Sequence, residues 1–454
     1  MAVSRARQAV GPLYLLLCLL LGGSAQGILA NMILQLVGVG LIAWSALARP
    51  GEPLGNSARQ LIWLGLAAIA LVALQLVPVP FSLWERLGGR TLLAADYATL
   101  GLAPALLPAS LAPYRSLATL FSWIPPIALF CAMVRLEAYR ASWMCAAVVA
   151  GTGAGIVLGA LQVASPADAT SSWYLFADSS FGSAIGFFAN ANHMADQLVI
   201  TLPFLAALAA AARGSDQQLY TTVVASVAAA AIVVIVGIIL NGSLAGYLLL
   251  LPALAGAGLI LLPPRSPLRV WAAGAAGLLL LAAVAGIATT AVGSNRLSAE
   301  AATSVQSRAE MVAVGAQAVR DFMPLGAGLG TFPDAYHLYE DPASVAGTYV
   351  SHAHNDYIEV AADLGIGGIA LIAAFFVWWA VATWRAWRAF GSQPYARAAS
   401  VATAIILVHS LVDYPLRTAA IAACFAMGAA LLAERRTPQA NRQDLRPTRH
   451  LVFR

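Results

Sequence analysis

Pro324-Leu325-Gly326-Ala327-Gly328-Leu329-Gly330-Thr331-Phe332, followed by Ser351-His352-Ala353-His354-Asn355-Asp356-Tyr357-Ile358-Glu359, is the polar stretch around which this chain is organised. Its second half runs straight into an apolar span that starts near Ile358. Between Arg320 and Gly368 glycines, aromatics and titratable groups crowd together, and three of the six histidines (His337, His352 and His354) lie there. In a chain that is 60% hydrophobic and 10% charged, such a concentration marks where chemistry is to be expected.

Outward from this stretch, one apolar run follows another. A mean hydropathy of +0.79 over 454 residues lies outside the range of soluble globular chains and implies an all-α, polytopic membrane protein. Runs of about 17 to 25 apolar residues can cross the hydrocarbon. They fall near 11–25, 28–48, 60–77, 115–134, 141–163, 189–212, 219–240, 243–262, 270–291, 358–382, 398–412 and 417–433, which predicts twelve spans with both termini inside. Ser24-Ala25-Gln26 resembles a signal-peptide cleavage region, but the apolar run that follows at once favours the first helix of a helical pair. The expected organisation is nine helices in 1–291, a large outer loop at 292–357, three helices in 358–433 and a disordered arginine-rich tail at 434–454.

All 25 basic residues are arginine. Seven (Arg86, Arg90, Arg115, Arg296, Arg308, Arg320 and Arg417) fall in the outer segments of this assignment and 18 in the inner ones. That is the positive-inside asymmetry, so the net charge of +5 encodes orientation rather than nucleic-acid binding. The cysteines Cys18, Cys131, Cys145 and Cys424 sit in apolar runs and suggest no disulfide framework. No Asp-x-Asp pair and no metal-ligand spacing occurs in the outer segments, so neither a metal nor a cofactor is expected.

His354 is the candidate general base, because a neutral imidazole with a pKa near ambient suits proton transfer. His352, two residues away, points elsewhere on a helix or a strand and is expected to flank the site. Asp356 and Glu359 have the spacing of a capping box at the start of the next helix. Gly326, Gly328 and Gly330 lack a βαβ context, which argues against a nucleotide fold and for a tight turn close to substrate or to a helix. Asn190, Asn192 and His193 open a span, either lining a cavity or lying at the interface. Trp173, Tyr174, Phe176, Phe181, Phe187 and Phe188 offer faces for sugars or form an interfacial belt.

The order Arg308-Ala309-Glu310-Met311, Pro324-Leu325-Gly326-x-Gly328-x-Gly330-x-Phe332, His354-Asn355-x-Tyr357 and Asp363-Leu364-Gly365-Ile366-x-Gly368 resembles the O-antigen ligase and polymerase superfamily. The resemblance extends to Phe188–Ala195 upstream and His409–Asp413 downstream. It implies a fold like that of GT-C-like lipid-carrier glycosyltransferases, in the bacterial inner membrane with its site facing the periplasm. The implied donor is a glycan on undecaprenyl diphosphate, and the acceptor is a lipid or glycan hydroxyl. It assigns Arg308 to the departing diphosphate, with Arg320 and Arg417 as further outer candidates. Asn190, Asn192, Gly328, Gly330, Asn355 and Asp413 are implied substrate contacts, and Asp413 either orients His354 or pairs with Arg417. One departure stands out: in Gly242-Ser243-Leu244-Ala245-Gly246, Leu244 occupies the place of the family's usual arginine. A repeat-unit polymerase, or a lipid-linked-glycan transporter without catalysis, is the alternative reading.

Overall fold

The computed structural model describes residues 4–48, 53–263, 266, 268–292, 299–340, 350–389 and 393–433. Of the described residues, 73% are helical. Its helices are α1 (Arg5–Leu21), α2 (Ile28–Leu47), α3 (Asn56–Leu76), α4 (Phe81–Trp84), α5 (Thr91–Thr99), α6 (Pro113–Ser122), α7 (Ile124–Val134), α8 (Ala141–Val163) and α9 (Ala191–Ala211). There follow α10 (Gln217–Asn241), α11 (Leu244–Leu261), α12 (Leu268–Val292), α13 (Ala299–Phe322), α14 (Phe332–Tyr336), α15 (Asp356–Arg388), α16 (Pro394–His409) and α17 (Ala419–Ala433). A short antiparallel pair, β1 (Pro78–Pro80) with β2 (Leu106–Pro108), lies in the segment after α3.

Among the described residues eight helices are long and apolar enough to cross a membrane, α6 and α7 together forming one of them. The four other expected spans coincide with α1, α12, α16 and α17. The expected tail at 434–454 lies outside the described residues.

The bundle is built around α9, which is buried along almost its whole length through Leu198, Val199, Ile200, Phe204 and their neighbours. It packs against α8, α10, α11 and α16. Lipid is as apolar as leucine, so close approach of backbones, rather than expulsion of water, holds such helices together. Small residues provide it: Gly246 of α11 sits on Ala195, Gly256 on Val401 of α16, and Gly428 of α17 on Thr403.

Six connections expected on the outer side meet at one end of this bundle. Ala420 N donates to Gly22 O (3.0 Å), Gln26 Nε2 to Asp178 O (2.9 Å), Asn241 Nδ2 to Ala184 O (2.8 Å), and Leu111 N to Ala327 O (2.8 Å). Arg90, wholly buried, fastens the segment after α3 to the glycine loop. Its guanidinium donates to the carbonyls of Gly88, Ala109 and Gly326 and lies against the rings of Trp84 and Phe322. Burial pushes its pKa down to about 10.

Candidate active site

The site begins with a broken helix. Gly365 interrupts α15 with φ +58 and ψ −144, and a Cβ there would lie 2.1 Å from the Pro324 carbonyl oxygen. Positive φ and close approach together require glycine. Ile366 N, which would otherwise close the helix, donates instead to Pro324 O (3.0 Å). The freed carbonyls of Ala362 and Asp363 accept from Ala327 N (2.8 Å) and Gly328 N (2.9 Å). Gln75 of α3 staples the same joint, donating to Leu325 O and Asp363 O (both 2.8 Å) and accepting from Leu329 N (3.3 Å). Gly330 N donates to the Asp363 carboxylate (2.8 Å). The glycine series is therefore a tight turn against a helix, and the N–H groups of Gly328 and Gly330 are spent on Asp363.

Asp356, Glu359 and Asp363 follow one another at i, i+3 and i+7 and so share a face of α15. Arg417, from the turn after α16, fits onto that face. Its Nε lies 3.4 Å from Asp356 Oδ1, and its Nη2 lies 3.3 Å from Glu359 Oε1 and 3.8 Å from Asp363 Oδ2. Burial works against this charge, but Glu359, Asp363 and Asp356 together hold the guanidinium above its ordinary pKa. Glu359 also takes Nδ1 of His352 at 3.0 Å and accepts from Ala353 N (3.2 Å), while Ser410 Oγ donates to Asp356 (2.9 Å). The capping-box expectation is thus corrected. The cap is Asn355, whose Oδ1 accepts from Tyr357 N and Ile358 N (both 3.0 Å), because both carboxylates are engaged by Arg417. Asn355 Nδ2 donates to Leu411 O (2.8 Å), so this side chain is committed to the fold at both ends.

His354 stands just before that cap at φ +48, an uncommon backbone for a non-glycine residue. Such strain persists where the surroundings over-determine it, and it clusters at functional sites. Nδ1 of His354 lies 3.3 Å from Asp413 Oδ1, with the histidine side chain 22% exposed and the aspartate fully buried. The same carboxylate accepts from Tyr414 N (2.9 Å) and Asn192 Nδ2 (2.5 Å), and His193 Nε2 is 3.8 Å away. Burial alone would raise the pKa of Asp413; His354, His193 and His409 instead hold it well below the usual carboxylate range. Of the two expected partners, Asp413 has taken His354 and not Arg417.

Tyr414 packs among three histidines, with ring centroids 4.2 Å from His352, 4.9 Å from His354 and 5.1 Å from His193. Asn190 caps α9, accepting from Asn192 N (2.8 Å). Ser243 Oγ donates to Asn192 Oδ1 (2.7 Å), and Leu244 is exposed beside it, so no cation comes from that helix end. Arg320 is exposed on the last turn of α13, and among the described residues no hydrogen bond or ion pair joins it to the cluster. The backbone of Arg308 is within α13, but its side chain lies outside the described residues.

Sequence reasoning missed several members. Gln75 gave no signal, and the role of Tyr414 comes from topology. Asp196 and His409 are both buried, with Nδ1 to Oδ2 at 2.7 Å, one helical turn deeper than the His193 and Asp413 pair. Ionisable side chains within apolar spans are a signal that could have found them. Among the described residues no group of three or more His, Cys, Asp or Glu side chains is placed to hold a metal ion.

A helical membrane bundle whose connections converge on histidine–carboxylate pairs at one end defines a multi-pass membrane protein with a candidate catalytic face. Residues 229–373 match the family model described as O-Antigen ligase, which supports the resemblance to the O-antigen ligase-like superfamily over that part of the chain. The matched stretch includes Ser243, the glycine loop, His352, His354 and Asp363. No curated protein matches the chain. The family carries ligase- or polymerase-type transfer in surface polysaccharide assembly.

Proposed function

We propose that this protein transfers a glycan from an undecaprenyl-diphosphate carrier to an acceptor hydroxyl at the periplasmic face of the inner membrane, without a metal. The observation that carries this reading is the His354–Asp413 pair: a partly exposed imidazole held 3.3 Å from a buried carboxylate on a strained turn. An ionised Asp413 favours the tautomer with the proton on Nδ1, which leaves Nε2 of His354 with a lone pair. That nitrogen takes the acceptor proton as the acceptor oxygen attacks the anomeric carbon. The new carbon–oxygen bond forms, the bond to the diphosphate breaks, and the lipid diphosphate leaves with the electron pair. A single displacement inverts the anomeric carbon.

Arg308 is the proposed partner of the departing diphosphate. Arg417 cannot readily serve, because three carboxylates already share its charge. The test is a purified-protein assay with carrier-linked glycan and acceptor. The parent is expected to release undecaprenyl diphosphate as glycan is transferred, whereas a transporter releases none. Arg308→Ala is expected to weaken donor binding and turnover together. Arg308→Lys should recover little, since an ammonium does not reproduce a bidentate guanidinium. Unchanged turnover in Arg308→Ala would remove this arginine from the mechanism.

A further inference from the structure

Beside His193, His352 and Tyr414, whose ring also packs on His354, lies a half-open cavity of about 770 Å³. Its walls come from the turn between α1 and α2 (Gly23 to Gln26), the segment Ala177 to Phe181, and His193, His352, Tyr414 and Arg417. The two loop walls are tied to each other before any ligand arrives: Gln26 Nε2 donates to Asp178 O (2.9 Å), and Asp178 N donates to Gln26 Oε1 (3.1 Å). The transfer mechanism uses none of these loop residues.

The lining chemistry selects among the parts of a lipid-diphosphate glycan. Neutral hydroxyls and amides predominate, from Ser24, Gln26, Ser179, Ser180, Asn190 and Ser351. Phe181 and Tyr414 add aromatic rings, whose faces suit the apolar side of a pyranose. The arginine in the wall, Arg417, is already opposed by Asp356, Glu359 and Asp363, and the wall also contains Asp178. A diphosphate seated here would find Asp178 in the wall and, in Arg417, a cation whose charge three carboxylates already oppose. An uncharged, hydroxyl-rich group meets a wall of neutral hydroxyls and aromatic faces instead.

We infer that this cavity is a saccharide subsite: it takes uncharged sugar residues of the donor or the acceptor glycan beside His354, and the diphosphate binds outside it. The identity of the glycan rests on the transfer reading above, but occupancy is measured by binding and not by transfer. A chain that bound glycan without transferring it would still report on the cavity.

Ala25 and Ala177 line the cavity and are exposed, so Ala25→Trp and Ala177→Trp narrow it with little demand on packing. The probes are undecaprenyl diphosphate without sugar, carrier-linked glycan extracted from the parent cells, and the acceptor glycolipid fraction of the same cells. Each is titrated against the full chain in nanodiscs. Both variants are expected to bind the sugar-free carrier within about twofold of the parent. They should lose roughly tenfold or more in affinity for one of the two glycan-bearing probes, and which one is lost identifies the source of the sugar. Ala25→Cys, blocked after folding with a bulky maleimide, fills the same space in a chain already folded. The similarly treated parent is its control. Equal losses for sugar-free and glycan-bearing carrier in the blocked protein would show a phosphate site and overturn the proposal. Unchanged affinity for all three probes would overturn it too.

Discussion

His352 and His354 are one alanine apart, and each rests on a buried carboxylate, but the two surroundings are charged in opposite senses. Around His352, one guanidinium is shared by Asp356, Glu359 and Asp363 on a single face of α15. Around His354, one carboxylate, Asp413, serves His354, His193 and the Asn192 amide. The first arrangement uses its charges to join a broken helix to the glycine loop and to the turn after α16. The second leaves a strained, partly exposed imidazole with one nitrogen uncommitted by its partner. Similar residue types thus make a structural joint in one place and, in the proposed mechanism, a site for proton transfer in the other.

The comparison breaks most visibly at Arg417. Arg417→Ala removes the cation and leaves three buried carboxylates uncompensated, a change expected to cost about 3–5 kcal/mol. It should appear as a large drop in melting temperature and in protease resistance, and activity should fall only with the folded fraction. If Arg417→Ala folded like the parent and lost donor binding alone, the joint would have to be reassigned to substrate.

Asp413→Asn should act in the other sense. The fold is expected to survive, while kcat falls on the order of 10²-fold, within the worth of a general base that has lost its orienting partner. KM for the donor should barely move. The folded pKa of Asp413 is depressed, so its ionic contribution to stability is present above the unfolded carboxylate value and is lost as pH falls through the folded one. The melting-temperature gap between parent and Asp413→Asn should therefore stay constant from about pH 8 to about pH 5. It should narrow only below the ordinary aspartate pKa of about 4. A gap already closing near neutrality would contradict the assignment of charge.

The smallest effect is expected at Gln75, which touches the joint but neither histidine. Gln75→Leu leaves two carbonyls and one N–H without their side-chain partner, a loss of about 1–3 kcal/mol. Hydrogen exchange should localise the loosening to residues 325–330 and 362–366, with the KM of the glycan substrates little changed.

Much of this was legible beforehand. The apolar runs locate the helices, because backbone polar groups in a bilayer must be satisfied within the span. His354 and its asparagine, the glycine series and Leu244 in place of arginine were all visible as residue patterns. Asp356, Glu359 and Asp363 were in view too, but the first two also have the spacing of a cap, and nothing local brings Arg417 to them from more than fifty residues away. The break at Gly365 was equally hidden: the residue stood in a recognisable motif, but its φ of +58 answers to Pro324, a contact between distant segments. Asp196 and His409 were missed because a single polar side chain in an apolar run does not announce its partner.

The central claim is that the two adjacent histidines do different work, and a side-by-side single-turnover measurement tests it most directly. Correctly inserted His354→Ala and His352→Ala are compared with the parent for release of undecaprenyl diphosphate and for donor affinity. The account predicts that His354→Ala binds donor within about twofold of the parent and turns over about 10²–10⁴-fold more slowly, while His352→Ala loses less than about tenfold. Near-parental turnover in His354→Ala, with His352→Ala inactive, would move the base to the histidine held by Glu359 and contradict the account.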